Sequence, residues 1–256
     1  MRRIEPLWGT VITLDVRSTV SPDYGNNVFA WFRRVDDLFS TWRPESEISR
    51  LGRLELAIEE ASPEVRIVLD LCERVRHDSG GAFDVRFAQD DRVTPREGFA
   101  PIDPSGLVKG WALQRAAELL RHDGITDFSI NAGGDVITAG HPEPGQPWRV
   151  GIQHPSQRDK IAAAVAVTDL GVATSGRYER GDHIIDPRTG RHATANRSVT
   201  VIANDLALAD GYATAALALG PAGMRWLDSL PGLASMAITE DDTITFNDSF
   251  AALRLL

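Results

Sequence analysis

The chain has 256 residues, enough for one large domain or two small ones, and its 43% apolar and 25% charged residues exclude the disordered and fibrous classes. A formal net charge of −9 at pH 7, with no local lysine and arginine cluster to offset it, argues against binding to nucleic acid. No apolar run approaches the roughly 20 residues of a membrane-spanning helix, so we expect no membrane insertion. No export signal is recognisable and Cys72 is the only cysteine, so we expect a cytoplasmic protein.

Apolar spacing and capping residues predict five helices. Apolar residues at intervals of three and four define the first, a Ser-Pro start defines the second, and glycines end the second, third and fourth. In chain order the predicted helices are 26–42, 62–80, 108–122, 206–219 and a short one ending at residue 230. The first four should pack on a core through their apolar faces.

Runs rich in β-branched residues predict strands between these helices. They are 11–16, 128–131, 148–153, 164–167, 198–203, 233–239 and 243–246. Strands and helices do not alternate steadily, and no Gly-x-Gly-x-x-Gly fingerprint is present. We therefore predict an α+β fold in one domain spanning residues 1–256, with mixed sheets and packed helices, rather than a doubly wound sheet.

The most informative pair of polar residues is Asp210 and Thr214, within the predicted fourth helix. A separation of four places the carboxylate and the hydroxyl on one helix face, roughly 5–6 Å apart at Cβ. Two hard oxygens in this arrangement suit Mg²⁺, which is commonly held by one or two carboxylates together with water and substrate phosphate oxygens. The alternative is a solvent-facing aspartate and a threonine that bonds to its own helix.

Three glycine-containing segments could contribute to the same site. Segment 103–110 leads into the third helix and carries Lys109, so its backbone amides and its lysine could attract phosphate. Segment 131–135, Asn-Ala-Gly-Gly-Asp, follows a strand and could let the backbone approach a ligand. Segment 81–84, Gly-Ala-Phe-Asp, offers a ring and a carboxylate. Each could equally be an ordinary turn or helix end.

His183 is the best candidate for a general base, because an imidazole can accept a hydroxyl proton near neutral pH. It begins the segment His-Ile-Ile-Asp-Pro-Arg-Thr-Gly at 183–190, which follows Thr-Ser-Gly at 174–176. A single histidine is more often structural, and the Asp-Pro and Thr-Gly pairs also fit a plain turn.

Taken together and in this order, these segments resemble the ApbE family of FAD:protein FMN transferases. The resemblance begins at Trp8-Gly9-Thr10, ends at the Asp210 and Thr214 pair, and so covers most of the chain. Its other elements are 39–51, 81–84, 103–110, 131–135, 174–176 and 183–190.

The resemblance implies a fold in which FAD lies between the parts of the domain, facing a metal ion. It implies that Mg²⁺ is held by Asp210, Thr214 and a backbone carbonyl from segment 103–110, that of Gly106. The positions that it implies for the flavin site are Trp42, Ala82, Phe83, Asp84, Asp103, Lys109 and Ile184.

Members of this family transfer FMN from FAD to a threonine hydroxyl of a partner flavoprotein and release AMP. By resemblance, Lys109 balances the developing charge and His183 takes the proton of the acceptor hydroxyl. Three alternatives remain open at this point: a metal-dependent pyrophosphatase that splits FAD into FMN and AMP, a protein that binds FAD without catalysis, and an interaction domain that binds no flavin.

Overall fold

The computed structural model describes residues 1–18, 23–86, 101–177 and 184–255. Its strands are β1 (Arg2–Leu7), β2 (Thr10–Val16), β3 (Phe128–Ala132), β4 (Asp135–Ala139), β5 (Trp148–Gln153), β6 (Ile161–Val167), β7 (Gly171–Gly176), β8 (Ile185–Asp186), β9 (Arg191–His192), β10 (Asn196–Ala203), β11 (Ala234–Thr239) and β12 (Ile244–Phe246).

Eight of these strands form one sheet in the order β1-β2-β3-β4-β7-β10-β11-β12. The remaining strands form two hairpins, β5-β6 and β8-β9. Every strand pairing within the described ranges is antiparallel. The fold is therefore mixed because it combines helices with sheets, and not because parallel and antiparallel strands share a sheet.

Most of the helices pack on one face of the large sheet. They are α1 (Asn26–Phe39), α2 (Glu47–Gly52), α3 (Pro63–Asp78), α4 (Ser105–His122), α5 (Leu206–Leu219), α6 (Pro221–Asp228) and α7 (Asp248–Leu253), with a 3₁₀ turn at Ile58–Glu60. Strand alternation explains the layers, because successive side chains of a strand point to opposite faces. On β7, Ala173 belongs to the apolar core under the helices, whereas Val172 belongs to a second core under the β5-β6 hairpin and α7.

The α+β prediction is confirmed, and the predicted helices and strands are present with shifted ends. The first helix ends at Phe39 rather than residue 42. The third begins at Ser105 rather than near Val108, so most of segment 103–110 is helix and not a loop, which corrects that expectation. A tight turn joins β3 to β4, where Gly133 and Gly134 have φ values of 60° and 97°.

Several elements of the described chain were not predicted, because they lie in segments that had been assigned other roles or none. They are the strands β1, β4, β7, β8 and β9, the short helices α2 and α7, and the 3₁₀ turn at Ile58–Glu60. Within the described ranges, every helix is too short or too polar to cross a bilayer. The assignment of residues 1–256 to one domain stays a prediction.

Candidate active site

Two helices, α4 and α5, pack against each other in antiparallel directions and position the candidate metal ligands. A Cβ atom placed on Gly110 of α4 would lie 2.4 Å from the Leu206 carbonyl oxygen and 2.8 Å from the Asp210 Cβ atom. One turn further along α4, the Gln114 side chain accepts a hydrogen bond from the Leu206 amide at 3.2 Å. Glycine at position 110 therefore permits an approach that any side chain would prevent.

The Asp210 carboxylate lies at this contact and is only 4% exposed as a residue. Its Oδ2 atom accepts a hydrogen bond of 2.9 Å from the Gly110 backbone amide. In a regular α-helix this amide would point to the carbonyl of Gly106, four residues earlier. Asp210 thus competes with that carbonyl for its donor, which favours other contacts for the Gly106 oxygen.

Thr214 meets Gly106 at the other end of the same helix pair. Its hydroxyl donates to the Gly106 carbonyl at 3.3 Å and lies 2.8 Å from the Ser175 hydroxyl of β7. A Cβ atom on Gly106 would come within 3.1 Å of both Thr214 Oγ1 and the Phe83 ring. The three predicted metal ligands are therefore brought to one helix interface: Asp210 and Thr214 on one side, Gly106 on the other.

Lys109, on the first turns of α4, forms an ion pair with Asp135 at the start of β4. The Lys109 Nζ atom lies 2.9 Å from Asp135 Oδ2, in an electrostatic approach rather than a directed hydrogen bond. The Asp135 side chain is fully buried and its Oδ1 atom accepts a 2.9 Å hydrogen bond from the Thr174 amide of β7. The Lys109 side chain remains 22% exposed, so its ammonium group is held at the boundary between the core and the surface.

The segment 81–84 lies beside the start of α4. The Asp103 amide donates to the Val85 carbonyl at 2.8 Å, and the Asp103 side chain accepts from the Ser105 amide at 2.9 Å. Phe83 is 5% exposed and its ring reaches Gly106, as described above. Ala82 is also buried, at 2% exposed, whereas Asp84 is partly exposed and accepts from the Arg86 amide.

Cys72 of α3 is buried near two of the predicted site carboxylates. Burial raises the pKa of its thiol far above the ordinary value, and the charges of Asp210 and Asp103 raise it further. The thiol is therefore uncharged at neutral pH.

The segment after residue 183 packs against the glycines that follow α3. Ile184 is 9% exposed, belongs to the core under the helices, and accepts a hydrogen bond from the Ala193 amide. The Arg188 side chain would lie 3.6 Å from a Cβ atom on Gly81, and it forms two hydrogen bonds of 2.8 Å with Asp186. The hydrogen bonds from Arg188 hold the pKa of Asp186 below its ordinary value.

Two predicted site residues lie outside these contacts or outside the described ranges. Trp42 follows α1 in the connection to α2, and it is 75% exposed. His183 lies outside the described residues, and its role as a base stays a prediction.

The structure adds three residues to which the sequence had assigned no role. They are Asp135, which anchors Lys109, Ser175, which contacts Thr214, and Gly110, which brings α4 and α5 together. All three lie within or beside segments that the sequence had marked, but their partners are 26 to 100 residues away. Only the fold reveals which residues they serve.

Comparison with known proteins gives relatives that share both sequence and fold. The sequence profile described as the ApbE family matches residues 8–93 and 88–237. The FAD:protein FMN transferases of Klebsiella pneumoniae (strain 342) and Escherichia coli (strain K12) are each 35% identical over 150 residues, which is 55% of this chain. The matched stretch spans 43% of the length of each of these curated relatives, less than half of either protein.

Solved structures extend the likeness to the whole chain. The flavin transferase ApbE from Vibrio cholerae superposes with a TM-score of 0.82 and 25% identity over 99% of this chain and 98% of that one. An ApbE protein from Thermotoga maritima gives a TM-score of 0.84 over 100% of this chain and 99% of its own, and its 23% identity supports the fold alone. With a family profile that extends from residue 8 to residue 237, the chain belongs to the ApbE family.

Proposed function

We propose that this chain transfers FMN from FAD to a threonine hydroxyl of an acceptor flavoprotein, with release of AMP. Membership of the ApbE family and the names of the curated relatives support the reaction class. The observation that carries the proposal is the meeting of the Gly106 carbonyl, the Thr214 hydroxyl and the Asp210 carboxylate at one helix interface, beside the Lys109 ammonium group.

This donor set fits a hard divalent cation such as Mg²⁺. All three groups present oxygen atoms, and only Asp210 carries a charge. In this proposal the oxygens of a bound phosphate ligand and water would complete the coordination of the ion. A bound ion would polarise the phosphoryl group and offset the charge of the departing AMP.

Lys109 supplies the second positive charge for the pyrophosphate. Because Asp135 is fully buried and fixed by the Thr174 amide, it orients the ammonium group without drawing it into the core. A lysine held in this way presents a point charge at a defined position, which stabilises the negative charge that develops on the phosphate oxygens. Asp135 is a positioning residue in this proposal.

The remaining residues line the flavin dinucleotide in this proposal. Trp42 and Phe83 cover ring systems, and Ala82 and Ile184 provide apolar walls. The two carboxylates in the set, Asp84 and Asp103, lie on the segments that flank the start of α4.

The proposed reaction is a single phosphoryl-type displacement. The threonine oxygen forms a bond to the FMN phosphorus while the pyrophosphate bond to AMP breaks, and AMP departs with the bridging oxygen. His183 accepts the hydroxyl proton of the threonine.

The decisive experiment incubates the protein with FAD, Mg²⁺ and candidate acceptor flavoproteins from the same organism. Mass spectrometry should detect an acceptor that has gained covalent FMN, together with free AMP. Asp210→Asn should remove the adduct, whereas Asp228→Asn, which changes an exposed aspartate at the end of α6, should retain it.

Two other results would replace the proposal. AMP release that needs no acceptor would identify a FAD pyrophosphatase, and tight FAD binding without AMP release under any condition would identify a flavin-binding protein. Failure to retain flavin at all would remove the basis for all three functions.

A further inference from the structure

A cavity lies on the opposite face of the large sheet from α4 and α5. It has a volume of about 190 Å³ and is lined by residues of β1 to β5. Its polar lining includes Arg2, Thr13, Asp15, Ser129, Asn131 and Arg149. None of them belongs to the proposed flavin site.

The charged groups at this cavity carry a net positive charge. The Arg2 and Arg149 side chains line it, and neither makes a hydrogen bond or an ion pair with any residue in the described ranges. The Asp15 carboxylate also lines the cavity, and it is paired at 3.0 Å with Arg17, whose guanidinium group lies 5.3 Å from the Trp148 ring centre. The charge of the one carboxylate is therefore offset by Arg17, in a chain whose formal net charge is −9.

Small polar side chains also line the cavity. The side-chain hydroxyls of Thr13 and Ser129 make no hydrogen bond within the described part of the chain. Asn131 accepts a hydrogen bond from the Gly134 amide at 3.2 Å through Oδ1 and carries an amide nitrogen that can donate. Hydroxyl and amide donors beside guanidinium groups match an anion with several oxygens.

We propose that this cavity binds a phosphate dianion, either free or as the end of a small phosphate monoester. Two guanidinium groups supply the charge and the planar paired donors that phosphate oxygens accept, and the hydroxyls supply single donors. The volume suits phosphate with a few further atoms and is below the roughly 300–1,000 Å³ of drug-sized pockets, which excludes a dinucleotide such as FAD. The site is therefore distinct in place and in ligand from the proposed flavin site.

Isothermal titration calorimetry tests the proposal, with inorganic phosphate and glycerol 3-phosphate as probes and glycerol as the uncharged control. The Arg2→Gln and Arg149→Gln double variant should weaken the dissociation constant of the tighter probe by about tenfold or more. The Arg66→Gln and Arg225→Gln double variant makes the same charge change on the helical face, and it should bind within about twofold of the original protein.

Lys109→Gln separates this cavity from the proposed flavin site and should leave the affinity unchanged. Tighter binding of inorganic phosphate than of the ester, or the reverse, names the source of the dianion and supports the proposal in either case. The proposal is overturned by three results: no saturable binding up to about 10 mM of either probe, equal affinity in both double variants, or a loss of binding in Lys109→Gln that the Arg2 and Arg149 variant does not show. Arg2 and Arg149 are exposed, so unchanged thermal unfolding should confirm that the variants are folded.

Discussion

Asp135→Asn should destabilise the protein through the loss of one charge, without changing the shape of the side chain. The carboxylate is fully buried, pairs with Lys109 Nζ at 2.9 Å and accepts the Thr174 amide, and an asparagine oxygen can keep only the last of these contacts. Removing one partner of a buried ion pair costs about 3–5 kcal/mol of unfolding free energy, and because Lys109 is 22% exposed we expect roughly 2–3 kcal/mol here. At this chain length that lowers the Tm by roughly 4–12 °C.

The assay is a double-mutant cycle of Asp135→Asn and Lys109→Met, measured by urea unfolding and by thermal unfolding. Lys109→Met alone leaves a buried carboxylate without its cation, so it should be destabilising too. The double variant should be less destabilised than the sum of the single variants by about 2 kcal/mol. If the two effects add within about 0.5 kcal/mol, Asp135 does not hold Lys109 and the reasoning fails.

Three further changes test other contacts of the same structure. Thr214→Val should abolish metal binding, measured by titration with Mn²⁺ followed by electron paramagnetic resonance, whereas Thr200→Val removes a buried hydroxyl from the opposite sheet face and should retain it. Gly110→Ala places a Cβ atom 2.4 Å from the Leu206 carbonyl oxygen, so it should lower the free energy of unfolding by roughly 1–3 kcal/mol or more in urea. A decrease below about 0.5 kcal/mol would show that α4 and α5 can move apart without cost. Burial and the hydrogen bond to Asp78 raise the pKa of Tyr212 to about 12 from an ordinary 10. The unfolded chain therefore loses this proton at a lower pH than the folded one, and the free energy of unfolding should fall as the pH rises from about 10 to 12. Tyr212→Phe should reduce that slope in pH-dependent unfolding.

The sequence predicted that two of the proposed metal ligands lie together because their arrangement is local. Asp210 and Thr214 are one helical turn apart, and that spacing alone places them on one face of α5. The contacts of Ser175 are not local, since they depend on which face of β7 turns toward α5. A sequence of Ala-Thr-Ser-Gly does not reveal a strand, because glycine and serine weaken the strand signal that β-branched residues give.

The start of α4 shows a second limit of sequence reasoning. Gly106 and Gly110 lower the helix propensity of this segment, which moved the predicted start to Val108. The structure begins the helix at Ser105, because close packing against α5 compensates for the two glycines and depends on them. Tertiary packing therefore outweighs the low local helix propensity at the start of α4.

Strand β1 was missed for a related reason. It carries two arginines and Pro6 within six residues, a composition that gives little strand signal. As the outermost strand of the sheet it can accept a proline, because one of its edges makes no ladder hydrogen bonds.

The antiparallel register of α4 and α5 makes the proposed metal site cooperative in its assembly. Gly106 meets Thr214, Gly110 meets Asp210, and Gln114 meets Leu206, so three successive turns are matched at once. A slip of one helix along the other by a single turn, about 5.4 Å, would break all three matches together. The proposed metal ligands are therefore assembled all together or not at all. A metal ion that binds to them also stabilises the one register in which α4 and α5 pack.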